Sequence, residues 1–270
     1  MRWGLIVKPN DKKTERLARE VLEVLRKSGE VYIEKSFARV LNEEEFSRED
    51  LNKRSDIVVT VGGDGTILYA LEKIEKPIFA INCSAMGFLT EVDAKFAKSG
   101  IEKILKGEYN VEERDRLKVF LNRRRLQDAS NEITLQTANV AKIIEFSVSV
   151  DDELVDRMKA DGIIVATPTG ATGYALSVGG PIVDPSVSAS IIAPIAPFKL
   201  SSRPWIVPID KKICIDLLEN SKEAKLVIDG RNSYDVAPGD RVCVTRSEKK
   251  SRFVRFGESF YQTVRLKLVR

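Results

Sequence analysis

Histidine is absent from the 270-residue chain. That absence removes the Ser-His-Asp triad, the Cys-His pair and every imidazole metal site. Proton transfer is left to Asp, Glu, Lys, Tyr or water. Cysteine is scarce: Cys83, Cys214 and Cys243 stand far apart with no Cys-x-x-Cys spacing. Their spacing predicts reduced, mostly buried thiols in a cytoplasmic protein. No apolar run is long enough to span a bilayer. The start, Met1 to Lys8, is too short and too soon charged for a signal peptide. The net charge of +4 is too small to argue for nucleic acid or an anionic membrane, though it favours an anionic ligand. Against these absences, the apolar content of 43% is that of an ordinary globular chain, long enough for one large domain or two smaller ones. Charged residues at 31% agree with heat tolerance through ion pairs.

The stretch Asp56-Ile57-Val58-Val59-Thr60-Val61-Gly62-Gly63-Asp64-Gly65-Thr66 organises the rest. Its apolar, β-branched opening reads as a buried strand. Glycines then surround one carboxylate, and Ile67, Leu68, Ala70 and Leu71 continue as a helix. A strand that breaks into glycines before a helix leaves backbone N–H groups facing outward, which suits a phosphate. Asp64 repels phosphate, so its place is to hold a metal or accept a proton. Gly-Gly-Asp-Gly is also simply a good tight turn, and the rest of the chain has to decide between the two.

Around this stretch, strands alternate with helices. Trp3 to Val7, Val31 to Ile33 and Pro77 to Asn82 read as strands; Asp11 to Lys27, the residues up to about Ile74, and Ala94 to Leu105 read as helices. Glu43 to Arg54 is highly charged and reads as an exposed helix or loop. The alternation predicts a parallel, Rossmann-like α/β domain over residues 1–110, with ligands at the carboxyl ends of its strands. Asp64 and Asn82 both lie just past strand ends. From about Val111 the runs become short and β-rich, which predicts a mainly β domain over 111–255. Residues 256–270 read as a terminal segment packing back on the first domain.

A second glycine-rich loop follows an apolar strand in Asp161-Gly162-Ile163-Ile164-Val165-Ala166-Thr167-Pro168-Thr169-Gly170-Ala171-Thr172-Gly173-Tyr174-Ala175-Leu176-Ser177. Its Thr and Tyr hydroxyls beside glycines exceed what a turn needs, and Tyr174 can stack on a ring or hydrogen-bond a sugar. Asn131-Glu132, ahead of a strand, can clamp a diol. Taken alone that pair also reads as a turn.

Taken together and in this order, the motifs resemble the NAD kinase family, in its archaeal and bacterial type that uses ATP or polyphosphate. Gly62-Gly63-Asp64-Gly65-Thr66 is similar to the family's first signature, and Asn82 with Gly87-Phe88-Leu89-Thr90-Glu91 to the segment after it. Asn131-Glu132 matches its Asn-Glu pair, and Asp161 through Ser177 its second glycine-rich signature. Ile195 to Pro204, Asp229-Gly230-Arg231 and Phe260-Tyr261-Gln262 are similar to later blocks. The resemblance implies phosphoryl transfer from ATP or another donor to the adenosine ribose 2′-hydroxyl of NAD, giving NADP. It also implies a divalent ion, Mg or Mn, carried by the ATP phosphates, and a homodimer or homotetramer. Asp64 would be the general base, with Gly62, Gly63, Asp64, Gly65 and Thr66 as the phosphate loop and Gly65 packed under the ligand. Phe88 would line the adenine end, and Asn131 and Glu132 would clamp a ribose. Asp161 would contact the nicotinamide end across a subunit interface. Thr172, Gly173, Tyr174 and Ser177 would shape the dinucleotide pocket. Lys142, Lys159, Ala196 and Arg231 fall where the family has ligand contacts.

The chain departs from the family at Ala171 and Gly173, where many relatives have Ser and Ala, at Ser84-Ala85-Met86 and at Phe198. These departures bear on pocket shape and on the choice between oxidised and reduced cofactor, not on Asp64. Two readings from other classes are a kinase of a lipid or sugar acceptor and a non-catalytic dinucleotide sensor.

Overall fold

Apolar runs that must be buried on both faces pair most readily as parallel strands with helices on either side. The N-terminal half does this. In the computed structural model, which describes residues 1–8, 12–83, 87–199, 201–257 and 259–268, the chain forms two compact units. One is Met1–Glu113 with Ser251–Arg270, the other Arg114–Lys250. Asp11, Ser84, Ala85, Met86, Leu200 and Arg270, which the sequence readings touched, lie outside the described residues.

In the first unit β1 (Arg2–Val7), α1 (Lys12–Ser28), β2 (Glu30–Ile33), α2 (Lys35–Leu41), α3 (Arg48–Arg54), β3 (Ile57–Gly62), α4 (Asp64–Leu71), β4 (Ile78–Asn82), β5 (Val92–Asp93) and α5 (Ala97–Leu105) follow in order. The strands lie β4-β3-β1-β2, every neighbouring pair parallel. Residues alternate between two cores. Leu5, Val7, Val59 and Val61 pack with Ala18, Val21 and Leu25 of α1 and Ile101 of α5. Ile6, Val58 and Ala80 pack with Ile67, Ala70 and Leu71 of α4. From β1 the chain passes to β2 on one side, then returns to β3 on the other, so the topological switch point lies between β1 and β3. That is where open α/β sheets bind ligands, and β3 ends there in the glycine turn.

The charged stretch before β3 contains α3, closed by a capping box in which Ser47 and Asp50 satisfy each other's backbone N–H. Leu51 anchors it in the core. Helix α2 has no counterpart among the sequence expectations, because seven residues give too few turns for a period to show.

The second unit is a sandwich of antiparallel sheets. Its strands are β6 (Asn110–Leu121, whose first residues belong to the first unit), β7 (Arg124–Arg125), β8 (Glu132–Thr137), β9 (Ile144–Val150), β10 (Glu153–Ala160), β11 (Gly162–Ala166), β12 (Ala189–Ile195), β13 (Trp205–Pro208), β14 (Ile213–Leu217), β15 (Ala224–Ile228), β16 (Asn232–Val236) and β17 (Arg241–Arg255, whose end from Ser251 belongs to the first unit). One sheet runs β13-β12-β11-β8-β15-β16, and β10-β9-β14-β17 pair in another. Ile133, Leu135, Ile163 and Val165 of the first share a core with Phe146, Val148, Ile213 and Val242 of the second. Strand β10 escapes sequence reading because it alternates charges with few apolar residues. Its hairpin with β9 turns at Asp151 and Asp152, both at positive φ.

The expectation of three reduced thiols is wrong for two of them. Cys214 and Cys243 are bonded to each other, and Cys83 stands outside that disulfide. They are register partners on antiparallel β14 and β17, with Cα atoms 4.2 Å apart. That is the close spacing of a non-hydrogen-bonded pair. A separation of 29 residues hides such a pairing from the sequence. Reduced thiols therefore no longer argue for the cytoplasm. No helix among the described residues is long and apolar enough to cross a membrane.

Thiol titration of unfolded, unreduced protein should find one reactive cysteine, and three after reduction. Cys214→Ala with Cys243→Ala should lower stability by about 2–4 kcal/mol in denaturant titration.

Candidate active site

The site residues fall in both units, and each set has its own geometry. In the first unit β3 gives way to Gly63, which precedes the first turn of α4. A Cβ at Gly62 would lie 2.3 Å from Thr66 Oγ1, so a side chain there would collide with the helix it introduces. Asp64 stands in the first helical turn, where the helix dipole favours a carboxylate. Its Oδ2 accepts the Phe88 N–H at 2.7 Å and its Oδ1 the Leu89 N–H at 3.1 Å. An ionised carboxylate offers about four acceptor positions, so both oxygens keep capacity for another partner. The approach is so close that a Cβ at Gly87 would sit 2.3 Å from Asp64 Oδ1. Sequence reading quoted Gly87 without this reason. Among the described residues, no side chain or distant backbone atom lies within 4 Å of a Cβ built on the exposed Gly65. Phe88 is half-buried, with Lys267 Nζ 5.2 Å above its ring centre. Asn82 is the register partner of Gly62, and its Nδ2 donates to Asp93 Oδ1 at 3.3 Å.

In the second unit Asn131 and Glu132 lead into β8. Asp229, just past β15 and at positive φ, accepts three successive N–H groups: Ser130 at 2.8 Å, Asn131 at 2.7 Å and Glu132 at 3.1 Å. Thr167 donates its hydroxyl to Ser130 O at 2.7 Å and accepts the Gly170 N–H at 3.2 Å. A Cβ at Gly170 would lie 2.3 Å from Asn131 O, and one at Gly173 would lie 3.4 Å from Glu132 Oε2. The glycine-rich loop therefore lies directly against the Asn-Glu pair.

Two atoms of this pair, Asn131 Oδ1 and Glu132 Oε2, are buried and find no hydrogen-bond partner among the described residues. Leaving a buried polar atom unmatched costs about 1–3 kcal/mol. Burial, with the Asp229 charge adding to it, pushes the Glu132 carboxyl up to about 8. Burial also raises Asp229 to about 6, against the opposing pull of its three N–H donors and Arg116. Glu132 is therefore mostly protonated at neutral pH in the free protein. The pair has the chemistry of a hydroxyl-binding clamp.

The other expected residues separate along β11. Glu132 is the register partner of Ala166, at one end. Asp161 is at the other, its N–H bonded to Ile195 O beside Ala196, and its C=O bonded to the Thr137 N–H. Five residues of strand put these ends about 16 Å apart. The loop spans that length: Thr167 is at the Asn131 end, and Tyr174 OH accepts from Gln136 Nε2 at 3.0 Å towards the other. Thr172 is half-buried, Ser177 exposed. Lys159 is exposed and already paired with Glu145 at 2.6 Å. Exposed Ala196 has φ +44°, and exposed Lys142 and Arg231 follow tight turns. Among the described residues no group of three Asp, Glu, Cys or His could hold a metal ion. Asp229, Thr167 and Gln136 are the residues whose roles sequence reasoning missed. Asp229 lies 97–99 positions from its partners, and the block Asp229-Gly230-Arg231 carries no local sign of that contact.

Both halves of the chain are similar to known proteins. The ATP-NAD kinase N-terminal domain model matches residues 3–109, and the C-terminal domain model matches 130–256. The chain is 43% identical to an NAD kinase of Methanosarcina mazei over 256 residues, covering 93% of this chain and 88% of that one. It is 42% identical over 274 aligned positions to an NAD kinase of Methanothermobacter thermautotrophicus, covering 100% and 96%. Among solved structures, yeast NADH kinase complexed with NADH superposes with TM-score 0.92 at 27% identity, over 98% of this chain and 86% of that one. An NAD kinase from Archaeoglobus fulgidus in complex with ATP superposes with TM-score 0.80 at 33% identity, over 98% and 99%. Both units are matched, and relatives more than 40% identical run nearly the full length: the chain belongs to the NAD kinase family.

Proposed function

We propose that the protein transfers a phosphoryl group from ATP, or another donor, to the 2′-hydroxyl of the adenosine ribose of NAD, giving NADP. Asp64 is the general base. The observation that carries this reading is the Asp64 carboxylate, fixed by the Phe88 and Leu89 amides at a glycine turn, with open space over Gly65. Names of relatives support the acceptor, and the ATP and NADH complexes of similar structures support both ligands.

Phosphoryl transfer needs positioning and charge neutralisation more than covalent chemistry. The helix N-terminus behind Gly63 offers N–H groups to donor phosphates. Asp64 accepts the hydroxyl proton as the ribose oxygen bonds to phosphorus and ADP leaves. Gly65 lets the ribose approach the backbone. The donor enters as its complex with Mg or Mn, which screens phosphate charge. Asn131 and Glu132 take ribose hydroxyls. The length from there to Asp161 suits an elongated dinucleotide, with Tyr174, Thr172, Gly173 and Ser177 along it and the nicotinamide towards Asp161.

A homodimer or homotetramer in the cytoplasm completes the proposal. Edge strand β13 exposes Trp205 by 51% and Ile206 by 54%, and Phe198 is 80% exposed. Such edges are normally covered, and a second copy would cover this one.

Asp64→Asn should lower turnover about 10²–10⁴-fold while NAD titration stays near normal and the protein still folds, with a lower Tm because the amide has one oxygen for the Phe88 and Leu89 N–H groups. Near-normal turnover would remove Asp64 from the base role. Gly65→Ala should fold unchanged, because among the described residues its new methyl meets no side chain or distant backbone atom within 4 Å. It should nonetheless weaken substrate binding at least tenfold in calorimetry; unchanged binding would place the ligand elsewhere.

The clamp also has a pH signature. The Glu132 carboxyl rises from an ordinary 4.5 to about 8 on folding. Its protonated form stabilises the folded state below the lower value, and that stability is lost as pH rises through the upper one. The free enzyme should lose Tm between about pH 5 and 8, and Glu132→Gln should flatten that loss. If the ribose hydroxyls donate to the carboxylate, NAD binding at pH 7 should release protons in calorimetry with buffers of different ionisation heat. The Gln variant should release none from this site.

A further inference from the structure

The residues that hold Asp64 are themselves held, and not by anything near them in sequence. The segment Gly87–Glu91 presents the Phe88 and Leu89 amides to the carboxylate. At its far end Glu91 is buried beside the last residue of β17. Arg255 Nη1 donates to Glu91 Oε2 at 2.8 Å and to Leu89 O at 3.3 Å. Arg255 Nε donates to Glu112 Oε2 at 2.7 Å, and the Phe256 N–H to Glu91 Oε1 at 2.6 Å. Leu89 is thus gripped on both sides of one residue: its N–H by Asp64, its C=O by Arg255.

The sheet explains why the grip falls here. Phe253 of β17 pairs with Ile78 at the start of β4, while Val92 of β5 pairs with Ile81 near its end. β17 and β5 succeed each other along β4, and the Glu91 N–H bonds to Ala80 O in the gap between them. Arg255 leaves the sheet where the Asp64-binding segment enters it. A guanidinium suits the place because its planar fork can serve a carbonyl and two carboxylates at once, which a lysine ammonium on its flexible stem does less well. The side chain of Glu91 is only 4% exposed and that of Arg255 16%, so the pair is fixed rather than solvent-averaged.

We infer that Arg255 is a positioning residue for phosphoryl transfer: it fixes Leu89, and through Leu89 the direction of the Asp64 carboxylate. The C-terminal return strand is then part of the catalytic apparatus. This rests on Asp64 being the base, and it predicts a loss in kcat rather than in NAD binding, because Arg255 acts on Leu89, Glu91 and Glu112 of its own unit.

Arg255→Met alone leaves Glu91 buried and unpaired, so it would lose stability as well as rate. The informative variant joins Arg255→Met with Glu91→Gln. It removes both buried charges and keeps an acceptor for the Phe256 N–H. Its Tm should recover towards the parent. Its kcat should stay down by as much as about 100-fold, the scale of a small misplacement of a reacting group, with KM for NAD little changed. Amide hydrogen exchange at Phe88 and Leu89 should quicken. In an Asp64→Asn background the same pair should cost little further rate, because the carboxylate it aims is gone. Recovery of kcat together with Tm, or a full multiplicative loss in the Asn background, would overturn the inference. Undiminished turnover of Asp64→Asn alone would overturn the base assignment instead, whatever the Arg255 variants do.

Discussion

One carboxylate set against two backbone amides organises the first unit. For Asp64 to reach the Phe88 and Leu89 N–H groups, the chain must turn sharply after β3 and must come close at residue 87. Both demands are met by glycine, at Gly62 where Thr66 would otherwise collide, and at Gly87 where a methyl would strike the carboxylate. The parallel sheet delivers these segments to the same end, since Gly62 and Asn82 are register partners at the ends of β3 and β4. The switch point between β1 and β3 leaves that end open to ligands.

The second unit solves the converse problem. There the structure tolerates buried polar atoms with no partner among the described residues, Asn131 Oδ1 and Glu132 Oε2. It holds them with a fully engaged carboxylate, Asp229, that takes three consecutive amides. Keeping Glu132 protonated avoids a bare charge beside Asp229, at the cost of a pH-dependent stability. A site that is costly when empty and satisfied when hydroxyls enter gains specificity from that mismatch.

What the sequence shows is what is local. The glycine turn around Asp64, the Asn131-Glu132 pair and the loop from Asp161 to Ser177 are contiguous, and their residue types state their chemistry. The alternation of apolar runs also reveals the parallel half, because strands buried on both faces must be continuously apolar. What stays hidden is pairing across distance. Asp229 supports Asn131 from 98 positions away and Arg255 holds Leu89 from 166. Cys214 and Cys243 are joined only because β14 and β17 are in register. Polar strands such as β10 and β16 are also hidden, since an exposed face carries no period-2 apolar signal.

The central claim is that Asp64 receives its proton from the adenosine 2′-hydroxyl. It is tested most directly by incubating the enzyme with ATP and Mg or Mn, once with NAD and once with its 2′-deoxyadenosine analogue, and analysing the products. The account predicts NADP from NAD, and an analogue that binds but is never phosphorylated. Phosphate on the analogue would mean that another hydroxyl is the acceptor, and would contradict it.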